Sequence, residues 1–542
     1  MPESFNAEPY YITTAISYPN GKPHIGHAYE AIAADAIARF HRLSGRDVRF
    51  QTGTDEHGLK MVQTARDKGV DVRDLCRDMS DQFQAMCDKL NISYDHFQRT
   101  TDVAHHRASV AIWEAMKANG DLYLDRYEGW YSVRDEAFYE DKELKEGEGG
   151  IKLSPQDTPV EWTVEESWFF KLSRYEKPLL ELYENQTDFI RPDSRRNEVV
   201  RFVEGGLRDL SISRTSFDWG VKVPGSPDHV MYVWVDALTN YLTGLGYPDM
   251  TGDMAKYWPA SLHLIGKDIV RFHAVYWPAF LMSAGLPLPK QVFGHGFLLA
   301  RGGEKMSKSL GNVVDPIELA DAFGVDALRF FLLESTTFGA DGTYSEDAIV
   351  ESNNARLAAT YGNLVQRIIA FIARKMNGKA PLLSNDLPED QALFAEVEKS
   401  FTDWHAAFEN YELQRAAAAC MGASNTLNKY VDTVAPWKVI KEDRRRAEHL
   451  LATAICALIR ISQMLMPITP DLAERALRTL QVPKNLQDQP FWDVREWYRM
   501  AAPDMQYQNP TPLVTTFARS SATMMGSASV TAFATSAAIE PA

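Results

Sequence analysis

Two histidines, His24 and His27, stand close to the amino terminus and are separated by an isoleucine and Gly26. They follow an apolar run, residues 10–16, which predicts a buried strand, and precede an alanine-rich stretch, residues 28–43, which predicts a helix. The first turn of such a helix offers unpaired N–H groups and the positive end of the helix dipole. Histidines at i and i+3 lie near one face of that turn, and the glycine leaves room for a flat base beside the backbone. The pattern predicts a phosphate-binding site in which both histidines donate hydrogen bonds, although a helix can also contain two histidines by chance.

Two lysines far downstream, Lys305 and Lys308, belong to the pentapeptide Lys-Met-Ser-Lys-Ser, which follows a flexible Arg-Gly-Gly segment at 301–303. Ammonium groups on a mobile loop can approach a departing pyrophosphate and neutralise charge that is greater in the transition state than in the ground state. A lone loop rich in lysine and serine is usually a solvated turn. Its occurrence after the two histidines favours a functional site.

The two motifs resemble the HIGH and KMSKS signatures of class I aminoacyl-tRNA synthetases. Within that class the chain resembles the methionyl-tRNA synthetases, in the form without zinc-binding cysteines. The segments that carry this resemblance are residues 16–21, 53–58, 232–238 and 265–273, and those similar to the family's connective peptide are 127–131, 135–139 and 189–198. The resemblance implies a methionine–tRNA ligase. Such an enzyme activates L-methionine with ATP to methionyl-adenylate and pyrophosphate, and then transfers the methionyl group to the 3′ end of tRNA(Met).

The resemblance also assigns roles to the motif residues. His24, His27 and Lys308 are expected to stabilise the charge that develops as the adenylate forms, with Lys305 in support and no covalent enzyme intermediate. The implied ATP-binding residues are His24, Gly26, His27, Asp268 and Lys308. Asp268 either contacts the ribose or braces the pocket. Mg²⁺ is expected to accompany ATP as a cofactor.

Two helical stripes predict a pocket lined with aromatic rings. In one stripe, Trp234, Ala237, Leu238 and Tyr241 have the i, i+3, i+4, i+7 spacing of a single helix face. In the other stripe, Ile269, His273 and Trp277 repeat every four residues. An aromatic stripe alone is more often protein core, but the resemblance makes this one a methionine site, since sulfur packs well at ring edges. In the family a histidine and a tyrosine face the thioether, and His273 and Tyr18 match their positions. An acidic residue of the family holds the α-ammonium, and Asp55 matches it. The alternative role for Asp55 is a helix N-cap. The implied methionine-binding residues are Ile16, Tyr18, Asp55, Trp234, Ala237, Leu238, Tyr241, Ile269, His273 and Trp277.

These residues must be positioned by a larger architecture. Pro23 suits the first turn of the helix because its missing N–H would be unpaired there, and a second strand is predicted at 47–52. Strand, helix and strand in this order open a parallel α/β sheet, in which ligands bind at the carboxyl ends of the strands. The predicted fold class is α/β: a Rossmann-type parallel-sheet catalytic domain with an inserted connective domain, followed by an all-α helical-bundle anticodon-binding domain.

The pattern becomes helical from about residue 350, where an apolar stripe steps by three or four residues and predicts a helical bundle. The stripe consists of Leu357, Tyr361, Leu364, Ile368 and Ile372.

The resemblance also implies an insertion between the two Rossmann halves, at residues 119–225. This insertion is too short for the editing domain that synthetases for leucine, isoleucine and valine carry there. The predicted domains are 1–118 and 226–299 for the Rossmann halves, 119–225 for the connective insertion, 300–349 for the KMSKS loop and stem-contact region, 350–509 for the bundle, and 510–542 for a low-complexity, disordered tail.

The helical half carries the residues that the family uses to bind the CAU anticodon. Asn363 and Arg367 are four residues apart on one helix face, and Trp437 follows a proline break. Asparagine and arginine can bind base edges while a splayed base stacks on an aromatic ring. From the residues alone, a core position after a proline is the more usual explanation of such a tryptophan. The resemblance favours the anticodon site.

Composition limits the remaining choices. The formal net charge of −16 argues mildly against a nucleic-acid partner unless lysine and arginine gather on one face. Residues 444–446 are a candidate for such a face, although a solvated helix start is the more usual explanation of an arginine run. Four scattered cysteines favour a reducing, cytoplasmic location. Residues 140–161 contain neither cysteine nor histidine, so no zinc is predicted. The apolar stretch 449–467 is interpreted as a bundle helix and not a membrane span, and we expect a monomer that needs no protein partner and no membrane.

Three alternatives remain open at this stage. A synthetase for another apolar amino acid is disfavoured by the short insertion and by the segments around Trp234 and His273. A non-catalytic tRNA-binding paralogue would have no need of the histidines and both lysines. A nucleotidylyltransferase of small metabolites would have no use for the helical half.

Overall fold

The structure, a computed structural model, describes residues 8–518 except 133, 135, 136, 301, 302, 305, 307–312, 385, 386 and 488. The side chains of residues 127, 137, 138, 148, 164 and 165 are likewise not described. Two predicted catalytic residues, Lys305 and Lys308, therefore lie outside the described residues.

The first part of the chain alternates strands and helices, as predicted. Its elements are β1 (Pro9–Thr14), α1 (Ile25–Leu43), β2 (Asp47–Thr54), α2 (Leu59–Lys68), α3 (Val72–Lys89), β3 (His96–Arg99) and α4 (Val103–Ala118). The helix α1 begins at Ile25 with His24 as its N-cap, so the prediction that Pro23 lies in the first turn is wrong. The helix starts later because the His24 ring accepts a backbone N–H and so fixes the cap at that position.

The middle segment is mostly antiparallel. Its elements are β4 (Leu122–Ser132), β5 (Ala137–Tyr139), β6 (Lys145–Glu146), β7 (Lys152–Leu153), β8 (Glu161–Phe170), α5 (Glu176–Asn185), β9 (Ile190–Arg191), α6 (Asp193–Glu204), β10 (Leu210–Ser211), β11 (Ser213–Arg214), β12 (Lys222–Val223) and β13 (Ser226–Met231). The strands β4 and β8 form a long antiparallel ribbon within a four-stranded sheet of order β10-β8-β4-β5. Strand β9, by contrast, pairs in parallel with a later strand of the catalytic sheet. Residues 190–191, which fall inside the predicted insertion 119–225, therefore belong structurally to that sheet.

The second catalytic segment returns to alternating helices and strands. Its elements are α7 (Val233–Thr243), α8 (Gly252–Tyr257), β14 (Leu262–Gly266), a π-helical turn (Phe272–Tyr276), α9 (Trp277–Ala284), β15 (Val292–His295) and β16 (Leu298–Leu299). Short 3₁₀ turns lie at Asp141–Glu143, Glu148–Gly150, Leu172–Tyr175, Lys267–Ile269 and Ala502–Asp504.

Within the described residues, six parallel strands form the central sheet in the order β3-β2-β1-β14-β15-β9. The chain progresses outward from β1 through β2 to β3 on one side, and from β14 to β15 on the other. The order therefore reverses between β1 and β14, where Ile12 pairs with Leu262. In such a sheet the ligand crevice opens at the carboxyl ends of the two strands at the switch point. Here those ends are Thr14 and Gly266.

The rest of the chain is almost entirely helical, as predicted. Its elements are α10 (Pro316–Phe323), α11 (Val325–Glu334), β17 (Gly342–Thr343), α12 (Glu346–Ser352), a π-helix (Asn353–Gly362), α13 (Asn363–Lys375), α14 (Pro388–Glu409), α15 (Leu413–Val434), α16 (Pro436–Val439), α17 (Arg444–Leu465), α18 (Pro470–Thr479), α19 (Lys484–Gln487) and α20 (Val494–Ala501). The predicted apolar stripe from Leu357 to Ile372 is buried, although its first turns are π-helical. Of the described helices, α17 is long and apolar enough to cross a membrane, and 89% of its apolar window is buried inside the protein.

Helix α1 packs against both the catalytic sheet and the helical domain. The ring of Phe40 stacks on Phe408 with centroids 4.7 Å apart, and the Tyr10 and Tyr411 hydroxyls lie 3.3 Å from each other. One continuous apolar core includes residues of β1, α1, α15 and α17. The helix that begins with the two histidines is therefore anchored to the domain predicted to bind the anticodon.

Three of the described residues after 509 contact the rest of the protein. Leu513 is buried, Asn353 Nδ2 donates to the Thr515 carbonyl at 2.9 Å, and the Phe517 ring lies edge-on to Phe323 at 5.5 Å. These contacts contradict the prediction of a disordered tail for residues 513–517, and the rest of the predicted tail stays a prediction. Low-complexity composition did not reveal the apolar positions that bury this segment against the π-helix.

Candidate active site

The two histidines form the N-terminal cap of α1. His24 Nδ1 accepts a hydrogen bond from the Gly26 N–H at 3.1 Å, and His27 Nδ1 accepts one from the His24 N–H at 3.1 Å. Their ring centroids are 3.8 Å apart, which confirms that both lie on one face. Because a backbone N–H only donates, each neutral ring carries its proton on Nε2. Each ring thus has a donor of the kind that a phosphate oxygen requires.

Gly26 is needed for this arrangement. A Cβ atom at this position would lie 2.9 Å from His24 Cε1, which is closer than side-chain contacts normally allow. The His24 ring would have to leave its cap position. The glycine therefore permits the histidine cap, in addition to its predicted role beside a base.

The segment after β1 is tied to the end of β2. The Ser17 N–H donates to the Gly53 carbonyl and the Asp55 N–H donates to the Ser17 carbonyl, both at 2.9 Å. Asp55 is buried, and α2 begins at Leu59 with Gly58 as its N-cap. The N-cap alternative for Asp55 is therefore excluded, and Asp55 lies directly after β2, at the carboxyl edge of the sheet.

Several predicted methionine-site residues come together beside this edge. The Tyr241 hydroxyl donates to His273 Nε2 at 2.6 Å, since His273 Nδ1 lies 3.0 Å from the Ile269 carbonyl and must donate to it. The Trp234 ring lies edge-on to His273 with centroids 6.1 Å apart, and Trp277 lies 6.1 Å from Tyr241. The remaining predicted residues on α7, Ala237 and Leu238, are buried on the same helix.

Tyr18 and Ile16 are placed differently from these rings. Tyr18 packs in a small cluster with Met61, Leu75 and the ring of Trp219. Ile16 is half-buried just after β1. The predicted pairing of Tyr18 with His273 across the thioether stays a prediction.

The hydrogen-bonded side chains of His273 and Tyr241 carry no charge. Burial lowers the pKa of His273 to about 4, and burial raises the pKa of the Tyr241 hydroxyl well above its usual value. Both groups are therefore uncharged at neutral pH. Uncharged rings at this place suit an apolar, polarizable side chain and disfavour a charged one.

A buried carboxylate that the sequence interpretation missed links the two sides of the site. Asp236 on α7 lies 2.6 Å from His57 Nδ1 and 2.6 Å from His105 Nε2. Burial alone would raise the pKa of Asp236, but the two histidines outweigh it and hold the pKa well below its usual range. Both Asp236 and His57 lie in segments that carry the family resemblance, and that was the signal available. The network joins the helix of the pocket to the turn that contains Asp55.

The turn after β2 is held by a second buried carboxylate, Glu56. It accepts hydrogen bonds from Ser80, from Thr101 and from Arg99 Nε, the last at 2.7 Å. The Trp219 indole N–H donates to the Glu56 carbonyl at 2.7 Å. These bonds fix the backbone on which Asp55 is presented.

The opposite wall of the crevice contains an acid–base pair near the histidine cap. Glu30 of α1 lies 2.8 Å from His295 Nε2 at the end of β15. Burial opposes the charge of His295, but the hydrogen bond and charge of Glu30 outweigh it, so the pKa of His295 is raised. Asp268, the predicted ribose contact, is exposed directly after β14. It lies beside the switch point, where ligands bind in sheets of this kind.

Metal ligands are scarce in the described part of the chain. No group of three or more histidine, cysteine, aspartate or glutamate side chains there could hold a metal ion. The four cysteines, all among the described residues, are buried and form no disulfide. The absence of a structural zinc stays a prediction.

The helical domain brings two of the predicted anticodon residues together. The Arg367 guanidinium lies 5.3 Å from the centroid of the half-buried Trp437 ring and 3.0 Å from Asp432 Oδ1. Asn363 is exposed at the start of α13, one turn before Arg367. Ala435, in the left-handed backbone region at φ 40°, turns the chain so that the tryptophan meets the arginine. The surface offers a ring for stacking and two polar groups for base edges.

The arginine run 444–446 has a structural explanation. It opens α17, capped by Asp443. Arg444 pairs with Glu448 at 3.0 Å, and Arg446 pairs with Asp390 at 2.7 Å. The solvated helix start is therefore the better interpretation, and the run is not a free basic surface.

Comparisons with known proteins agree with this geometry. Residues 10–150 and 151–369 match the family described as tRNA synthetases class I (M), and residues 381–519 match the anticodon binding domain of methionyl tRNA ligase. A methionine–tRNA ligase of Brucella suis is 53% identical over 478 residues, covering 88% of this chain and 93% of the relative. One of Rhizobium meliloti is 52% identical over 484 residues, covering 89% and 94%.

The chain belongs to the methionyl-tRNA synthetase family.

Solved members of the methionyl-tRNA synthetase family have the same fold. The Mycobacterium tuberculosis methionyl-tRNA synthetase bound by methionyl-adenylate has a TM-score of 0.88 at 48% identity, covering 94% of this chain and all of that one (100%). Its free form has a TM-score of 0.83 at 45% identity, covering 95% and 99%. The predicted fold class, a Rossmann-like parallel sheet followed by a helical anticodon domain, is confirmed. So is the predicted enzyme class, an aminoacyl-tRNA synthetase.

Proposed function

We propose that this chain activates L-methionine with ATP to methionyl-adenylate and pyrophosphate, and then transfers the methionyl group to the 3′ end of tRNA(Met). One observation carries the proposal for this site. The histidine cap follows β1, and His273 and Trp277 of the ring-lined pocket follow β14, so the two lie on either side of the switch point of the sheet. Membership of the family supports the reaction, since a relative is described as bound by methionyl-adenylate.

His24 and His27 act on the phosphates. Their Nδ1 atoms are committed to backbone N–H groups, which supports donation from Nε2 towards the α-phosphate as the methionine carboxylate attacks it. Lys305 and Lys308 neutralise the departing pyrophosphate. The step is an in-line displacement that relies on positioning and charge and uses no covalent enzyme intermediate.

The proposed methionine site places the substrate between Asp55 and the rings. Asp55 attracts the α-ammonium, and the side chain extends towards Tyr241, His273 and Trp277. The neutral state of His273 and Tyr241 supports an apolar substrate. Within the pocket Ile16, Tyr18, Trp234, Ala237, Leu238 and Ile269 supply the remaining contacts.

ATP is proposed to arrive with Mg²⁺ on its phosphates. The described residues offer no cluster of carboxylates for a resident ion, and Mg²⁺ commonly keeps its waters and binds through substrate phosphates. The ion would supply charge neutralisation on the phosphates. Gly26 and Asp268 are assigned to the base and the ribose.

Recognition of tRNA is assigned to the helical domain. Asn363 and Arg367 bind base edges of the CAU anticodon, and an unstacked base stacks on Trp437. The approach of Arg367 to Trp437 supports this assignment. We further propose that the enzyme acts as a cytoplasmic monomer without membrane or protein partners, which sedimentation at working concentration would test.

The test of the proposed function is ATP–pyrophosphate exchange with each of the twenty amino acids in the absence of tRNA. Exchange with methionine alone is expected, and Lys308→Ala should abolish most of it. The matched control is Lys290→Ala, since Lys290 is an exposed lysine at the amino end of β15, the opposite edge of the sheet. Exchange with another amino acid would overturn the methionine assignment. A folded protein without any exchange would instead indicate a paralogue that only binds tRNA.

A further inference from the structure

A buried histidine, His263, lies behind the proposed methionine site and has no role in the reaction described above. It stands on β14, in register with Thr13 of β1, and both residues are 0% exposed. Its ring packs on that of Tyr241, with centroids 4.2 Å apart and an interplanar angle of 31°. Burial of an imidazole is costly unless its nitrogens are hydrogen-bonded, so the partners of the two nitrogens indicate what the residue does.

Both nitrogens of His263 have a partner that fixes the tautomer. Trp277 Nε1 lies 3.3 Å from His263 Nε2, and Thr13 Oγ1 lies 2.7 Å from His263 Nδ1. An indole N–H can only donate, so Nε2 accepts, and Nδ1 carries the proton and donates to the threonine hydroxyl. Burial, together with His273, lowers the pKa of His263 well below its ordinary value, so this neutral tautomer is the form at neutral pH.

The neighbouring His273 has the same tautomer for an independent reason. Its Nδ1 faces the Ile269 carbonyl, which only accepts, so its Nε2 accepts from the Tyr241 hydroxyl. The His263 and His273 ring centroids are 6.3 Å apart. Three rings proposed to contact methionine, those of Tyr241, His273 and Trp277, thus belong to one buried group in which each donor has one acceptor.

We infer that His263 is a positioning residue for methionine, which orients the Trp277 indole through its Nε2 and supports the ring of Tyr241 from behind. The inference rests on the proposed methionine site. Without the Nε2 acceptor, the Trp277 N–H is buried without a partner, and the indole has no reason to keep the orientation that completes the pocket. The affinity for methionine therefore falls when this hydrogen bond is removed. The ATP-binding histidine cap lies on α1 and is not part of this group.

The first test is His263→Phe, which keeps a flat ring and removes both nitrogens. In ATP–pyrophosphate exchange the KM for methionine should rise about tenfold, the ratio that loss of one buried hydrogen bond produces. The KM for ATP should stay within about twofold, since no contact to the histidine cap changes. The matched control is His41→Phe. His41 is a histidine with 1% exposure, and neither of its nitrogens has a hydrogen-bond partner in the described part of the chain.

Two further variants separate positioning from general support of the fold. His263→Gln can again present an acceptor to Trp277, and its KM for methionine should lie within about threefold of the wild-type value. In a Trp277→Phe background, His263→Phe should raise the KM for methionine by less than about threefold, because the hydrogen bond between the two side chains is already absent. If His263→Phe does not fold, the glutamine variant and the Trp277→Phe variant still carry the comparison.

The outcomes distinguish this inference from the proposed function. An unchanged KM for methionine in folded His263→Phe, or an equal rise in the KM for ATP, would overturn the positioning role and leave the function intact. A rise in the KM for methionine in the double variant that equals the product of the two single-variant rises would also overturn it. Failure of the wild-type enzyme to exchange with methionine would overturn the proposed function itself.

Discussion

Replacing Arg329 by methionine should destabilise the junction between α1 and the helical domain. Arg329, on α11, is 0% exposed and donates to Asp35 Oδ2 of α1 at 2.6 Å. It also donates to four backbone carbonyls, those of Leu90 at 3.2 Å, Asn91 at 3.5 Å, Pro467 at 3.1 Å and Ile468 at 3.0 Å. One side chain therefore joins the catalytic sheet domain, α11 and the anticodon domain.

The size of the effect follows from the contacts that are lost. Burial alone would raise the pKa of Asp35, but Arg39, Arg329 and Ser93 lower it to about 2 from 3.8, which corresponds to about 2 kcal/mol of stability shared among the three. Because the folded pKa is depressed, this contribution is present above pH 4 and is lost as the pH falls towards 2. Each carbonyl that loses a charged donor costs about 1 kcal/mol more. The total agrees with the ~3–5 kcal/mol expected when one partner of a buried ion pair is removed.

Urea unfolding at pH 7.5, followed by tryptophan fluorescence, measures this loss. The matched control is Arg39→Met, because Arg39 also pairs with Asp35, at 2.7 Å, but is 22% exposed. The control should lose only about 1 kcal/mol, since solvent screens a partly exposed pair. A loss in Arg329→Met no larger than that of the control would refute the reasoning, because burial and the carbonyl contacts would then contribute nothing.

Three further predictions concern stability, catalysis and tRNA binding. Asp326→Asn should stabilise the protein by about 1–3 kcal/mol at pH 7.5, because burial and Asp471 raise the pKa of Asp326 to about 6. The ionised wild-type carboxylate destabilises the fold above that pH, and the gain from the asparagine disappears below pH 4. Thermal unfolding at several pH values measures this gain. Gly26→Ala should lower the kcat of pyrophosphate exchange at least about tenfold with little change in Tm, because the new Cβ displaces the His24 cap ring. In an aminoacylation assay, Arg367→Ala should raise the KM for tRNA about tenfold or more. The same variant should leave tRNA-independent pyrophosphate exchange unchanged.

Each of these predictions has its own control and contrary outcome. A gain from Asp326→Asn that is equal at pH 4 and pH 7.5 would contradict the pKa argument. Gly422→Ala places a Cβ where nothing lies within 4 Å and should leave exchange unaltered, so equal losses in the two glycine variants would count against the cap. Arg374→Ala, on the last turn of the same helix as Arg367, should keep the wild-type KM for tRNA.

The sequence by itself determined the features that depend on neighbouring residues. The strand β1 and the helix α1 follow from an apolar run and an alanine-rich stretch. The stripes on α7 and around His273 follow from helical periodicity, and so does the buried face from Leu357 to Ile372. The motif order led to the family before any contact was known, because the chemistry of adenylate formation needs these residue types at these places.

Only the tertiary structure decided which distant residues support the site. Asp236 meets His57 and His105, and His263 meets Trp277, because the sheet and its helices bring separate segments into one core. Residues 190–191 return to the catalytic sheet, and residues 513–517 pack against the π-helix, for the same reason. Periodicity shows which face of an element is buried, but not which other element covers it. The partner of a buried polar group is a non-local choice, fixed when the whole core closes and every donor must find an acceptor.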